Sequence, residues 1–460
     1  MIKRALLMAL GTLTCAAHTN YWTAVDTNLD RTQCTTYQDY VHRGKELQAS
    51  NEKIKALAAY KEALKIRPSE YIQCKELGNC LLSLGNEFFD RRESQLAIDT
   101  FNAILEISPN ISAAYHNIAF TLAEEVGDYH QAVTYYHKAL KLNPDNIESH
   151  FCLALSLLAT GNLLQGFKEY ECRWKRYNNA PRSFTHYPLT NQLHALHNIA
   201  GKRIMIRVEQ GLGDTLQFIR YAQLVKEKGA IVIAEVQKPL VHLLALCSYL
   251  DEIVLIGDPA PPYDYQIPLL NLPVLFHTTL ETIPTTIPYL RADPQLINFW
   301  RHEIKNDTNF KVGICWQGDP THGANKFMPL NYFEKFAQIP GISIYCLQQT
   351  ESTPELSNNI KKCATDFDNS HGRFMDTAAL MKSLDLVITV DTSIAHLAGG
   401  LGIQVWTILP FPAEWRWLQQ RNDSPWYSTM RVFRQIEFGN WNDVYEELVR
   451  ALESTICEKK

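Results

Sequence analysis

The chain has 460 residues, 46% of them hydrophobic and 20% charged, enough for about three domains and the balance of a globular protein; a disordered or collagen-like chain is excluded. Lys and Arg number 44 against 49 Asp and Glu, a formal charge of −5, and a mildly acidic chain with no long basic run does not grip nucleic acid or an anionic membrane by bulk charge. The 11 cysteines are scattered, odd in number and without a Cys-x-x-Cys pair, which argues against structural zinc and a disulfide framework and for reduced thiols.

Lys3 and Arg4 precede a mostly apolar run, Ala5–Ala17. The run is shorter than the about 18–20 residues of a bilayer span but has the length and flanks of a signal peptide. A plain leader helix is the alternative, and residues 1–36 are set apart as a leader. No other segment approaches a membrane span.

A repeat follows. Ala56, Tyr60, Ala63 and Pro68 stand at offsets of 4, 3 and 5, and the same offsets recur at Ala97, Phe101, Ile104, Pro109 and at Ala132, Tyr136, Ala139, Pro144. A weaker copy runs Gly166, Tyr170, Arg173. The prolines bracket a helix-turn-helix unit of about 34 residues, with a first helix upstream marked by Leu77-Gly78 and Ile118-Ala119. Small residues let the paired helices approach, the aromatic fills the groove, and proline ends the second helix. The pattern resembles the tetratricopeptide repeat family, with about four repeats over residues 37–178; a coincidental helical bundle is the alternative. Such arrays offer a concave surface to peptides or partner proteins.

After a connector, residues 179–200, the period changes to strand-then-helix alternation. A lobe over residues 201–295 reads as strand Lys202–Glu209, a glycine loop, helix Thr215–Lys228, strand Ala230–Val236, helix Pro239–Cys247 and strand Glu252–Ile256. The Pro-rich passage Pro259–Pro294 reads as an interlobe segment. A second lobe, residues 296–460, repeats the rhythm: strand Phe310–Trp316, helix Leu330–Gln338, strand Ile342–Leu347, helix Asp376–Leu384, strand Asp385–Val390, helix Thr392–Gly400 and strand Gln404–Leu409. The fold class expected is α + α/β: helical repeats, then two Rossmann-like lobes whose ligands bind beyond the carboxyl ends of the strands.

Three loops carry candidate chemistry. Gly211-Leu212-Gly213-Asp214 follows the first strand, and its glycines let backbone N–H groups approach a phosphate or sugar at a helix N-terminus. It lacks the third glycine of a dinucleotide fingerprint, which with the weak acidic candidate Glu235 disfavours a nicotinamide dehydrogenase. Asp214 there is either a general base or a helix cap, and the spacing does not choose. The second loop, Asp391-Thr392-Ser393, is delivered by an apolar strand to a helix start suited to a diphosphate, with His396 one turn along the same face. A capped helix with a core histidine is the alternative. The third, Trp316–Pro320 leading to Lys326, offers one cation against phosphate charge, or a lone surface lysine.

In order and spacing, residues of about 201–457 resemble the glycosyltransferase family typified by bacterial heptosyltransferases, which have two facing Rossmann lobes (GT-B). The resemblance rests on Gly213-Asp214, Lys326 and Asp391-Thr392-Ser393-Ile394-Ala395-His396. Ser393 departs from the family's usual glycine, which narrows the phosphate pocket and leaves the donor open. The segments Pro410–Trp417 and Asp423–Tyr427 look like the subgroup fused behind tetratricopeptide repeats. The resemblance implies that Asp214 is the general base on an acceptor hydroxyl. Lys326 would offset the leaving diphosphate, and Gly211, Gly213, Asp391, Thr392, Ser393 and His396 would hold the nucleotide-sugar. It also implies that no metal or other cofactor is needed and that the lobes close on substrate. The acceptor, a protein or glycan, would be recruited by the repeats. A repeat scaffold with degenerate transferase lobes is the competing expectation. Because nucleotide-sugars are made in the cytosol, the expected location is cytoplasmic and Ala5–Ala17 is expected not to be cleaved. Should Asp214 prove dispensable, Glu209 is the next candidate base.

Overall fold

The computed structural model describes residues 34–66, 71–177, 192–318, 327–349, 356–362 and 367–459. By contact they form two compact units. One runs to Val126 and takes in His137–Pro144; the other comprises Gly127–Tyr136 and the chain from Asp145 on. Most of the leader, and the connector up to residue 191, lie outside the described residues. Among the described residues no helix is long and apolar enough to cross a membrane.

The first unit is built of helix pairs: α1 (Tyr37–Ala49) with α2 (Lys53–Ile66), then α3 (Tyr71–Asp90) with α4 (Ser94–Ile107), then α5 (Ser112–Thr121). The repeating positions Ala56, Tyr60, Ala63, Ala97, Phe101 and Ile104 are all buried, as the offsets predict. The small residues they press against are not the expected ones. A Cβ on Gly78 would meet nothing within 4 Å, whereas one on Gly85 would lie 2.4 Å from the Phe101 ring and one on Gly44 2.3 Å from Tyr60. The aromatic therefore needs a glycine one helix back, at a place the motif spacing does not mark. The third copy lies on α6 (Tyr129–Leu142), where Ala132, Tyr136 and Ala139 are buried.

In the second unit α7 (Ile147–Ala159) packs on the turn Trp415–Trp417 of the second lobe, α8 (Leu163–Tyr170) on Leu272–Leu275 of the first lobe, and α9 (Arg173–Tyr177) on α7. Arg173 and Glu209 form a buried two-bond ion pair at 2.7 and 2.9 Å. Glu209 also accepts from the Leu270 N–H at 3.1 Å, so its oxygens are occupied in holding α9 to the lobe.

That lobe is a four-stranded parallel sheet, order β3-β2-β1-β4, made of β1 (Arg203–Arg207), β2 (Ile231–Val236), β3 (Glu252–Leu255) and β4 (Tyr265–Pro268). β4 falls inside the passage expected to be interlobe linker; four residues ending in proline at a sheet edge give too little pattern to mark a strand. The expected helix Thr215–Lys228 is two, α10 (Leu212–Phe218) and α11 (Arg220–Glu227). Side-chain donors, one distant and one local, interrupt the ladder: Tyr289 Oη donates to the Leu216 carbonyl at 2.7 Å and Arg220 Nε to that of Gln217 at 2.8 Å.

The other lobe is a six-stranded parallel sheet, order β10-β9-β8-β5-β6-β7. Its strands are β5 (Phe310–Cys315), β6 (Ile342–Cys346), β7 (Ile360–Lys361), β8 (Leu386–Val390), β9 (Val405–Leu409) and β10 (Met430–Arg434). The helix α12 (Ser393–Gly400) follows β8, and α13 (Asn442–Lys459) closes the chain. Val312, Ile314, Ile388, Ile408 and Phe433 of the strands bury against Leu448 and Leu452 of α13. The expected class, helical repeats followed by two Rossmann-like lobes, is the one observed. Each sheet has one place where the chain reverses direction across it, between β1 and β4 and between β5 and β8. Those are the crevices where parallel sheets bind ligands, and the loops after β1, β5 and β8 are the three singled out from sequence.

Candidate active site

The loop after β1 leads directly into α10. Gly211, exposed, donates its N–H to Asp214 Oδ2 at 2.9 Å, so Asp214 does cap the helix. It also does more, because its other oxygen, Oδ1, pairs with Arg416 Nη2. Arg416 comes from the turn Trp415–Trp417 beyond β9. Its Nη1 pairs with Glu414 Oε1, and its backbone N–H donates to Glu414 Oε2 at 3.0 Å. Burial works against the Arg416 charge, but Asp214 and Glu414 outweigh it and keep the guanidinium protonated. Burial raises the Glu414 carboxyl, and the nearby negative charges of Asp391 and Asp214 add to the rise.

The loop after β8 is the second half of the site. Thr392 caps α12, its hydroxyl accepting from the Ile394 N–H at 3.3 Å. The same hydroxyl lies 3.2 Å from Thr389 Oγ1. A Cβ on Gly318, in the loop after β5, would lie 3.1 Å from Thr392 Cγ2, so these two loops touch at the β5/β8 crevice. Asp391, Thr392 and Ser393 are all part-exposed. Lys326 lies outside the described residues.

The two lobes meet where α10 packs on α12. A Cβ on Gly213 would sit 3.0 Å from His396 Cδ2 and 3.7 Å from Ser393 Cα. Gly213 is thus needed for close approach of one helix to another. His396 is 4% exposed; its Nδ1 lies 2.9 Å from Tyr427 Oη, and its ring stacks on Trp417 at 5.2 Å. Burial, with Arg416 and Arg220 nearby, holds its pKa well below the usual imidazole value. His396 is therefore a neutral ring in the seam. A second guanidinium crosses that seam: Arg220, buried, donates to the carbonyls of Trp426 at 2.7 Å and Pro284 at 3.1 Å and to Tyr289 Oη at 2.9 Å. Gln217, one turn after Asp214 and fully buried, has a side-chain amide with no partner among the described residues.

The fold brings Gly211, Gly213 and Asp214 together with Asp391, Thr392, Ser393 and His396. Sequence reasoning missed Arg416 and Glu414, which it used only as marks of a subgroup; a Glu and an Arg alternating with two tryptophans shortly after the apolar strand β9 were the available signal. It also missed Tyr170. From α8, this side chain takes a 2.8 Å bond from Gln210 and lies within electrostatic reach of Arg416 and Asp214, so the last repeat helix reaches the site. A separate groove of about 560 Å³, lined by Trp300, Asp307, Tyr345 and Lys361 among others, holds none of the candidate residues.

The site is thus defined by two parallel-sheet lobes whose switch-point loops face each other, in a chain whose earlier part is built of helix pairs. Residues 125–161 match the family model described as TPR repeat. Over 88% of its length the chain is similar, at 25% identity, to protein FlbA of Caulobacter vibrioides, of which it covers 71%. Two solved structures resemble 56% of the chain. One is a family 9 glycosyltransferase of Veillonella parvula, 98% covered at 12% identity and a TM-score of 0.41. The other is the ADP-heptose lipopolysaccharide heptosyltransferase II of E. coli, 99% covered at 11% identity and a TM-score of 0.43. The fold assignment itself rests on the strand order.

Proposed function

We propose that the protein is a glycosyltransferase that moves a sugar from a nucleotide-sugar to a hydroxyl of a protein or glycan acceptor recruited by the repeats. The observation that carries the reading is the meeting of Asp214, at one switch point, with the Asp391–His396 loop at the other. The acceptor oxygen attacks the anomeric carbon, the bond from that carbon to the diphosphate breaks, and the acceptor proton passes to Asp214. The positive end of the α12 dipole and the side chains of Asp391, Thr392 and Ser393 face the donor's phosphates and sugar, with Lys326 as a counter-charge. His396, being neutral, contributes a hydrogen bond and packing and no charge. The helix terminus and cations do the work of a metal in this scheme, so transfer is expected to survive EDTA; loss of turnover restored by Mg²⁺ or Mn²⁺ would refute that point. The proposed donor also sets a cytoplasmic location, which cell fractionation checks.

The test is a thermal-shift panel of nucleotide-sugars followed by hydrolysis of the best binder. Asp214→Asn keeps shape but removes the base and is expected to lower turnover about 10²–10⁴-fold with donor affinity little changed. Full activity in that variant removes Asp214 as the base. Glu209 is no ready substitute, since its oxygens hold Arg173 and Leu270. A second reading, a repeat scaffold with inactive lobes, is favoured by the burial of His396 and the close packing of Gly213 on α12. It is chosen if donors bind and none is turned over.

A further inference from the structure

Asp214 belongs to one lobe and Arg416 to the other, and their side chains form an ion pair across the seam. We propose that Arg416 is a positioning residue for Asp214, fixing the carboxylate of the first lobe from the second so that the base is set for reaction only while the lobes are together. The proposal rests on the reading of Asp214 as the base.

Three features support it. First, Arg416 is presented rigidly. Its turn is anchored by Trp415 and Trp417, 4% and 1% exposed, and its carbonyl accepts from Trp426 Nε1 at 3.0 Å. Its guanidinium lies 4.3 Å from the Trp415 ring centre, and Glu414 grips it from behind. Second, Asp214 is held at both oxygens, by Gly211 on one side and Arg416 on the other. A carboxylate oxygen has two lone-pair sites, so one bond to each fixes the plane of the group and still leaves a site on each for an acceptor proton. Third, the charge count disfavours the rival role of phosphate ligand. Asp214 and Glu414 pair with the two terminal nitrogens of Arg416, so both ends of the fork already face carboxylates.

The experiment uses full-length protein and the Asp214→Asn, Arg416→Ala, Arg416→Lys and Asp214→Asn/Arg416→Ala variants. Hydrolysis is measured on whichever of UDP-N-acetylglucosamine, GDP-mannose or ADP-glucose stabilises the wild type most. Arg416→Ala should lower kcat at least tenfold while leaving affinity for the matching nucleoside diphosphate within about twofold. Millimolar guanidinium should restore part of the activity of Arg416→Ala and none of that of Asp214→Asn. The double variant should be no slower than Asp214→Asn alone. A tenfold loss of nucleotide affinity, or losses that multiply in the double variant, assigns Arg416 to the diphosphate and overturns the proposal. Full activity in Arg416→Ala beside an inactive Asp214→Asn overturns it while sparing the base; full activity in Asp214→Asn overturns both. Thermal unfolding supplies a readout that needs no substrate. The double variant should melt with the worse single variant, and melting shifts that simply add would show that no working pair exists. If Arg416→Ala does not fold, Arg416→Lys carries the same comparisons, with an intermediate kcat expected.

Discussion

Two buried side chains near the seam make predictions of opposite sign. An unfolded histidine titrates near 6.5, and His396 is held well below that value. Between the two values the unfolded chain binds more protons than the folded one. The contribution of His396 is therefore complete above about pH 6.5 and is lost as pH falls below it, at no more than about 1.4 kcal/mol per pH unit. Melting temperatures of wild type and His396→Gln between pH 7 and 5 isolate this term, with the flatter slope expected for the variant; equal slopes would show that His396 does not set it. Gln217 runs the other way. A buried amide without a partner costs about 1–3 kcal/mol, so Gln217→Met is expected to raise the melting temperature of the unliganded protein. A fall would show that the amide is satisfied. The loops at 211–214 and 391–396 were legible from sequence because glycine or hydroxyl residues between an apolar strand and a helix announce themselves locally. Arg416 was not, because it lies 202 residues from Asp214 and the pairing exists only when two lobes face each other.

Among the elements, α12 is packed too closely for added bulk. A Cβ on Gly399 would lie 2.4 Å from the Tyr427 ring, which is buried and holds His396. Gly399→Ala should cost about 1–3 kcal/mol through overpacking, read by urea unfolding, and it should loosen His396 as well. The docking of α9 is more exacting. Arg173→Met leaves Glu209 charged and buried, an expected loss of about 3–5 kcal/mol, whereas adding Glu209→Met should recover most of it. A double variant as unstable as Arg173→Met would show that packing, and not the orphaned charge, sets the loss. The regular elements followed from sequence where one period ran long enough: the repeat helices, and the apolar strands at the sheet centre. β4, β7 and β10 escaped because polar residues or proline (Gln266 and Pro268, Lys361, Arg431 and Arg434) leave none of them an unbroken apolar run, and the break between α10 and α11 escaped because one of its causes, Tyr289, comes from 73 residues away.

For the whole molecule, the second unit takes in the last repeat helices and the segment Gly127–Tyr136. Tyr129 Oη bonds the Ala413 carbonyl at 3.2 Å and Gln419 bonds that of Gly127 at 2.8 Å, so the start of that segment belongs with the lobes. The natural cut therefore falls well before residue 178. A chain beginning at Gly127 should fold, keep nucleoside-diphosphate binding within a few-fold and lose transfer to its natural acceptor, whereas one beginning at residue 179 loses Arg173 and should unfold or aggregate. Calorimetric titration of both chains with the nucleotide that binds the full protein decides. Nucleotide binding lost from a folded Gly127 chain would show that the earlier repeats belong to the donor site.

Arg220 gives that molecule a clock. Its guanidinium has carbonyl and hydroxyl oxygens as its hydrogen-bond partners, one of them Trp426 of the opposite lobe. At 2% exposure it is closed to water while the lobes are together. Exchange of the Arg220 Nη1 protons, which bond Trp426, followed by NMR, therefore reports how often the lobes open. A bound donor that draws the lobes together should slow that exchange by the same factor by which it suppresses opening, in a signal that needs neither acceptor nor turnover.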